Sequence, residues 1–98
     1  MDQPNPIIHQ PVRLKIMSAL KVLPVNEAIE FVRLKAIVAA TEGNLGAHVT
    51  TLEDAGYVAV EKDFVAKRPR TRVALTRQGR HAFEDYIAYL RDIIDAAE

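Results

Sequence analysis

The hydrophobic period of this chain switches at Gly56, and the switch decides the fold class. Before it, Leu45, Val49 and Leu52 recur at the three- and four-residue spacing of one helical face. After it come the strand formers Tyr57, Val58, Val60, Phe64 and Val65, broken by AKRPR and resumed by Thr71, Val73 and Leu75. The helix spans about 42–55. Thr41 is its N-cap, with a hydroxyl able to accept from the amide of Gly43 or Asn44, and Gly56 supplies the left-handed residue that closes many helices. A helix that ends in a glycine and feeds a hairpin makes the chain mainly α with a small β-hairpin.

The flanking segments complete the order. The first ten residues, with Pro4 and Pro6, read as extended and loosely held. A first helix starts near Pro11, carries Val12, Ile16, Met17, Leu20 and Leu23 at helical spacing, and ends at Pro24 and Asn26. Ala28 to Phe31 fit a very short strand pairing with the hairpin, and Phe31, Leu34, Ile37 and Val38 mark a second, shorter helix. Thr76 caps a last helix, about 76–97, that tolerates Gly79 in its first turn and carries Phe83, Ile87, Leu90, Ile94 and Ala97. No repeat, low-complexity tract or linker divides residues 1–98, so one domain is expected. Helix, short strand, helix, helix, strand, wing, strand, helix is the winged helix-turn-helix arrangement.

Composition excludes several chemistries. The chain has no cysteine, which removes disulfides, cysteine–zinc sites and thiol catalysis, and is compatible with a reducing cytoplasm. No uninterrupted apolar run could cross a bilayer, and the acidic, proline-rich start MDQPNPIIHQP is unlike a signal peptide. A cytoplasmic protein without membrane contact is expected. His9, His48 and His81 lack metal-ligand spacing, and neither a glycine-rich phosphate loop nor a nucleophile–base pair is present. Metal, cofactor and enzymatic activity are therefore not expected.

The net charge is zero, yet it is unevenly spread. Residues 62–80 hold Lys62, Lys67, Arg68, Arg70, Arg72, Arg77 and Arg80 against only Asp63, whereas residues 81–98 hold Glu84, Asp85, Asp92, Asp95 and Glu98 against only Arg91. At a phosphate backbone the local field matters more than the sum. A polar-faced helix beside a cationic hairpin tip suits double-stranded DNA.

GNLGAHVTTLEDAGYV, then the basic wing, then LTRQGR resembles the small winged-helix transcriptional regulators of the ArsR/MarR type, over about Ile8 to Leu90. The resemblance implies a homodimeric, sequence-specific DNA-binding transcription regulator. The cysteine box of the metal-sensing members is missing and less helix flanks the core than in the longer MarR-type members. Metal sensing is thus not expected, and no small-molecule effector is specified.

With Leu45, Val49 and Leu52 turned inward, the opposite side of the recognition helix carries Gly43, Ala47, Thr50 and Asp54, flanked by Asn44 and Thr51. Asn44 can pair bidentately with adenine, Gly43 and Ala47 leave room for close approach, and Thr41 and Thr51 can donate to phosphate or base. His48, at the edge of the buried stripe, fits either packing or a phosphate contact. Glu42, Glu53 and Asp54 oppose phosphate binding. Glu42 suits the helix dipole, and Glu53 is expected to turn towards the first helix or the wing. In the wing, about 65–72, Lys67, Arg68 and Arg70 surround Pro69 and Arg72 follows on the strand, all four expected to reach phosphates or the minor groove. Phe83, Tyr86, Ile87, Leu90 and Ile94 are expected to meet the same helix of a second copy. The rival is a winged helix used for protein–protein contact, which would have no need of KRPR.

Overall fold

The computed structural model describes residues 4–97. Its elements run α1 (Pro11–Lys21), β1 (Ala28–Glu30), α2 (Phe31–Val38), α3 (Glu42–Asp54), β2 (Val58–Val65), β3 (Arg68–Leu75) and α4 (Arg77–Ala96). The three strands form one antiparallel sheet in the order β1-β3-β2. Phe31 opens α2 instead of closing β1.

A single apolar cluster joins all the layers. Ile16, Met17 and Leu20 of α1 meet Leu34 and Val38 of α2 and Leu45, Val49 and Leu52 of α3, with Ile29, Val58, Val73 and Leu75 of the sheet and Phe83 and Tyr86 of α4. Among the described residues no polar or charged residue other than Tyr86's hydroxyl end enters this cluster. Truncating a fully buried member such as Leu52 to alanine costs about 2–5 kcal/mol. Ile37 is not part of it; it is 53% exposed on the outer side of α2.

The joint between α3 and the sheet is closed by local chemistry. Ala55 is the C-cap and Gly56, at φ 82°, takes the left-handed position. Its N–H donates to the Glu53 carbonyl and the Tyr57 N–H to the Leu52 carbonyl, both at 2.9 Å, the paired bonds of a Schellman ending. The start of α4 locks onto this joint. The Thr76 hydroxyl accepts from the Gly79 N–H at 2.9 Å and donates to the Gly56 carbonyl at 2.7 Å. Gly79 is required, not merely tolerated: a Cβ there would lie 2.0 Å from the Tyr57 carbonyl oxygen. Missing side-chain volume lets two backbones touch.

The segment before α1 is held more firmly than its prolines suggest. Met1–Gln3 lie outside the described residues, but Ile8 is fully buried. Asn5 Oδ1 accepts from the N–H groups of Ile7 and Ile8 at 2.9 and 3.2 Å, and its Nδ2 donates to the Tyr57 hydroxyl at 2.8 Å. His9 Nδ1 lies 2.8 Å from the Tyr86 hydroxyl.

The hairpin turn is shorter than the sequence suggests. β2 reaches Val65 and β3 begins at Arg68, leaving only Ala66 and Lys67, at φ 51° and 66°, as the turn. Two successive left-handed residues give the twist of a two-residue hairpin. Pro69 is therefore a strand residue opposite Phe64 and not the tip. Counting from the closing pair Val65↔Arg68, the Phe64↔Pro69 pair is one that exchanges no backbone bonds, so the missing proline N–H costs nothing.

Candidate nucleic-acid interface

Glu42–Asp54 presents Leu45, Val49 and Leu52 to the core and leaves Thr41, Gly43, Asn44, Ala47, Thr50 and Asp54 exposed. The Thr41 hydroxyl accepts from the Asn44 N–H at 3.2 Å, so the cap uses the backbone of Asn44 and leaves its exposed side chain at the N-terminal end. Thr51 is half-buried and its hydroxyl bonds back to the Ala47 carbonyl at 3.2 Å. His48 turns to α1, where the Arg13 Nη1 donates to its Nδ1 at 3.1 Å. That contact gives it a structural partner at the flank of the exposed face. Glu53 lines the groove between α3 and the wing with Val60, Lys62 and Thr71, on the wing side of the helix.

Two glycines of α3 have no packing explanation. An added Cβ at Gly43 or Gly46 meets nothing within 4 Å, and neither has a positive φ. Gly46, inside the helix, costs it about 1 kcal/mol relative to alanine, and Gly43, in the first turn, costs less. Gly43 sits on the exposed face and Gly46 beside the wing groove.

The wing has two different faces. Strand alternation places Glu61 and Asp63 of β2 with Arg70 and Arg72 of β3 on the face turned away from α3, Asp63 opposite Arg70 and Glu61 opposite Arg72. Arg70 grips Asp63 through two parallel bonds, Nε to Oδ1 at 2.9 Å and Nη2 to Oδ2 at 2.7 Å. Arg72 reaches Glu61 through Nη2 at 2.9 Å and Asp63 at 3.7 Å, leaving its shielded Nε without an acceptor. The Arg70 guanidinium holds the Asp63 carboxyl below the usual carboxylate range, and Asp63 in turn raises Arg70. Arg70 and Arg72 are thus half-buried, paired cations and do not project freely into solvent. Lys67 and Arg68, at the turn and just after it, are exposed. The acids were legible as neighbours only with the turn length in hand, since it sets the register that brings them opposite the arginines.

On the other side of the molecule, α4 divides its stripe. Phe83 and Tyr86 are spent in the protomer's own core, 6% and 4% exposed, which removes them from the surface open to a second copy. Ile87 and Leu90 are half-buried against that core, whereas Ile93 and Ile94 are 51% and 59% exposed. Every residue from Arg91 to Ala97 is exposed, so the end of the helix stands clear of the domain. Among the described residues no helix is long and apolar enough to cross a membrane, and no cluster of three or more histidines and carboxylates could hold a metal ion.

Comparison with known proteins places this architecture. The profile of the winged helix DNA-binding domain family matches residues 12–94. An uncharacterized protein of Methanocaldococcus jannaschii is 38% identical over 81 residues, 83% of this chain and 85% of that one. The structure of a transcriptional regulator homologue from Pyrococcus horikoshii OT3 superposes with a TM-score of 0.85 at 32% identity, covering 96% of this chain and 90% of that one. A MarR family transcriptional regulator from Silicibacter pomeroyi shares the fold at a TM-score of 0.71 and 18% identity, over 94% of this chain and 59% of its own length. With a helix-turn-helix, a hairpin wing and a match across most of its length, this chain belongs to the winged helix DNA-binding domain family.

Proposed function

We propose that the protein is a homodimeric transcription regulator that reads duplex DNA with α3 in the major groove and steadies it with the wing tip. The observation that carries this reading is the pair of glycines at 43 and 46. They weaken α3, nothing within the protein needs them, and a closely approaching nucleic acid does. Asn44 and Ala47 then face base edges, with Thr41 at the adjoining phosphate. Lys67 and Arg68 carry the wing's phosphate or minor-groove contact, while Arg70 and Arg72 contribute less because Asp63 and Glu61 already hold them. His48 and Thr51 support the helix from its flank.

In this reading Leu90, Ile93 and Ile94, with the exposed side of Ile87, form the seam between two copies. A two-fold pair presents two recognition helices to successive major grooves of a near-palindromic operator. The working protein binds rather than catalyses, and its site of action is the cytoplasm. The test is selection of random duplex DNA on the purified protein, followed by sequencing. Enrichment of half-sites about one helical turn apart is the expected result. Absence of any enrichment, with weak binding even at low salt, would instead favour the protein–protein use of the fold.

A further inference from the structure

On the face turned towards α3 the wing strands themselves carry no acid, while Glu42 and Glu53 of α3 line the far side of the groove. Val60, Lys62 and Phe64 of β2 share this wing face with Pro69, Thr71 and Val73 of β3, and Lys62 and Thr71 line the groove opposite Gly46 and Thr50. Beyond that groove, towards the tip, stands Phe64. Its ring is 73% exposed, among the largest exposures of any large apolar side chain here, and its cross-strand neighbour is Pro69. An exposed phenylalanine forfeits most of the stabilisation that burial would bring. Nothing in the fold uses it: the hairpin is closed by its backbone ladder, and the core ends at Val60.

We propose that Phe64 is a DNA-contacting residue, its ring packing against the deoxyribose and base edges of the minor groove beside the segment read by α3. The inference rests on the DNA-binding reading and adds an uncharged contact to it. Two observations select DNA as the occupant. Lys62 shares the face of Phe64, and the exposed cations Lys67 and Arg68 stand at the adjoining turn, Arg68 on the opposite face with Val65. The ring thus belongs to a cationic tip, which matches a polyanion. The ring also lies on the side of the wing that faces α3, where a duplex engaged by that helix must pass. Apolar side chains carried to the minor groove by a cationic element are an established way to grip it.

The test uses the 98-residue chain and a duplex that it retains in the selection above. Phe64→Ala is expected to weaken binding about tenfold with the slope of affinity against salt unchanged, because no charge is removed. Arg68→Ala, in contrast, should flatten that slope by about one. The sequence has no tryptophan, so Phe64→Trp introduces a lone indole reporter. Its emission should shift or quench in step with complex formation. Unchanged affinity in Phe64→Ala would overturn the proposal, as would a Phe64→Trp emission that stays that of a water-exposed indole in a complex visible by gel shift. Dissociation of Phe64→Ala into single copies in sedimentation would also overturn it, assigning the ring to a contact between copies. Failure of the unaltered protein to bind any duplex would remove the DNA-binding reading and this one together.

Discussion

Among the corners where this molecule uses left-handed backbone, two are built in opposite ways. At the end of α3, Gly56 turns the chain into β2 inside a set of bonds from Thr76, with Gly79 pressed against the Tyr57 carbonyl. At the wing tip, Ala66 and Lys67 take the left-handed region with side chains that rarely favour it. The inner corner spends its glycines on geometry. The outer one accepts strain and keeps a cation. At these two corners, glycine enforces shape where α4 is aimed, and composition serves charge where the hairpin only has to turn.

That contrast can be broken or sharpened by substitution. The largest effect is expected at Gly79→Ala, which should destabilise the protein by on the order of 3 kcal/mol or more, read as a fall in thermal midpoint or denaturant midpoint. Next comes Lys67→Ala with Arg68→Ala. It should leave the fold intact, weaken DNA binding at moderate salt by about 10- to 100-fold and flatten the salt slope by about two, as gel-shift titrations at several salt concentrations would register. Thr76→Ala removes both the cap and the bond to Gly56 and should cost about 1–2 kcal/mol in chemical unfolding, with little change in DNA affinity per folded molecule. Ala66→Asn with Lys67→Gly relaxes the tip. Stability should rise by about 0.5–1 kcal/mol while affinity falls, and a rise in both would sink the idea that Lys67 is kept for binding. The smallest effect is expected for Asp63→Asn, which frees Arg70 and should tighten binding a few-fold with a slope steeper by about one.

The same ion pair has a defined pH window. Asp63 is depressed by Arg70, so the pairing is complete above the ordinary carboxylate range and is lost only as pH falls through the lowered value. Near neutral pH the Asp63–Arg70 pair stays intact, and DNA binding should not change through Asp63 titration.

Caps were legible in the sequence because their chemistry is local. A hydroxyl at Thr41 or Thr76 reaches an amide three residues on, and at Gly56 the helix closes through the Gly56 bond to Glu53 and the Tyr57 bond to Leu52. The inward stripe of α3 followed from the same short-range patterns, and a short strand near Ala28 pairing with the hairpin was legible, but not that its partner is β3. Contacts between distant segments were not legible. Asn5 meets Tyr57, His9 meets Tyr86 and Gly79 meets Tyr57 from separate elements of the fold, and no local pattern announces such meetings. The wing failed for another reason. Treating residues 66–70 as loop frees Arg70 and Arg72. Moving the turn to Ala66 and Lys67 fixes a register that puts an acid opposite each of them. A shift of a residue or two in a turn was enough to reassign the cations at the candidate site.

The contact at Gly79 reaches further than the corner it closes. α4 has 20 residues, a rod about 30 Å long, and its base is set directly against the backbone that leaves the recognition helix. In the proposed two-fold pair the far part of that rod carries the seam, so the angle at its base sets how far apart the two reading heads lie. A tilt of about 10° there would carry the far end by about 5 Å, more than one base-pair step along a duplex. The half-site spacing that such a pair tolerates would then be gauged by one carbon atom that residue 79 does not have.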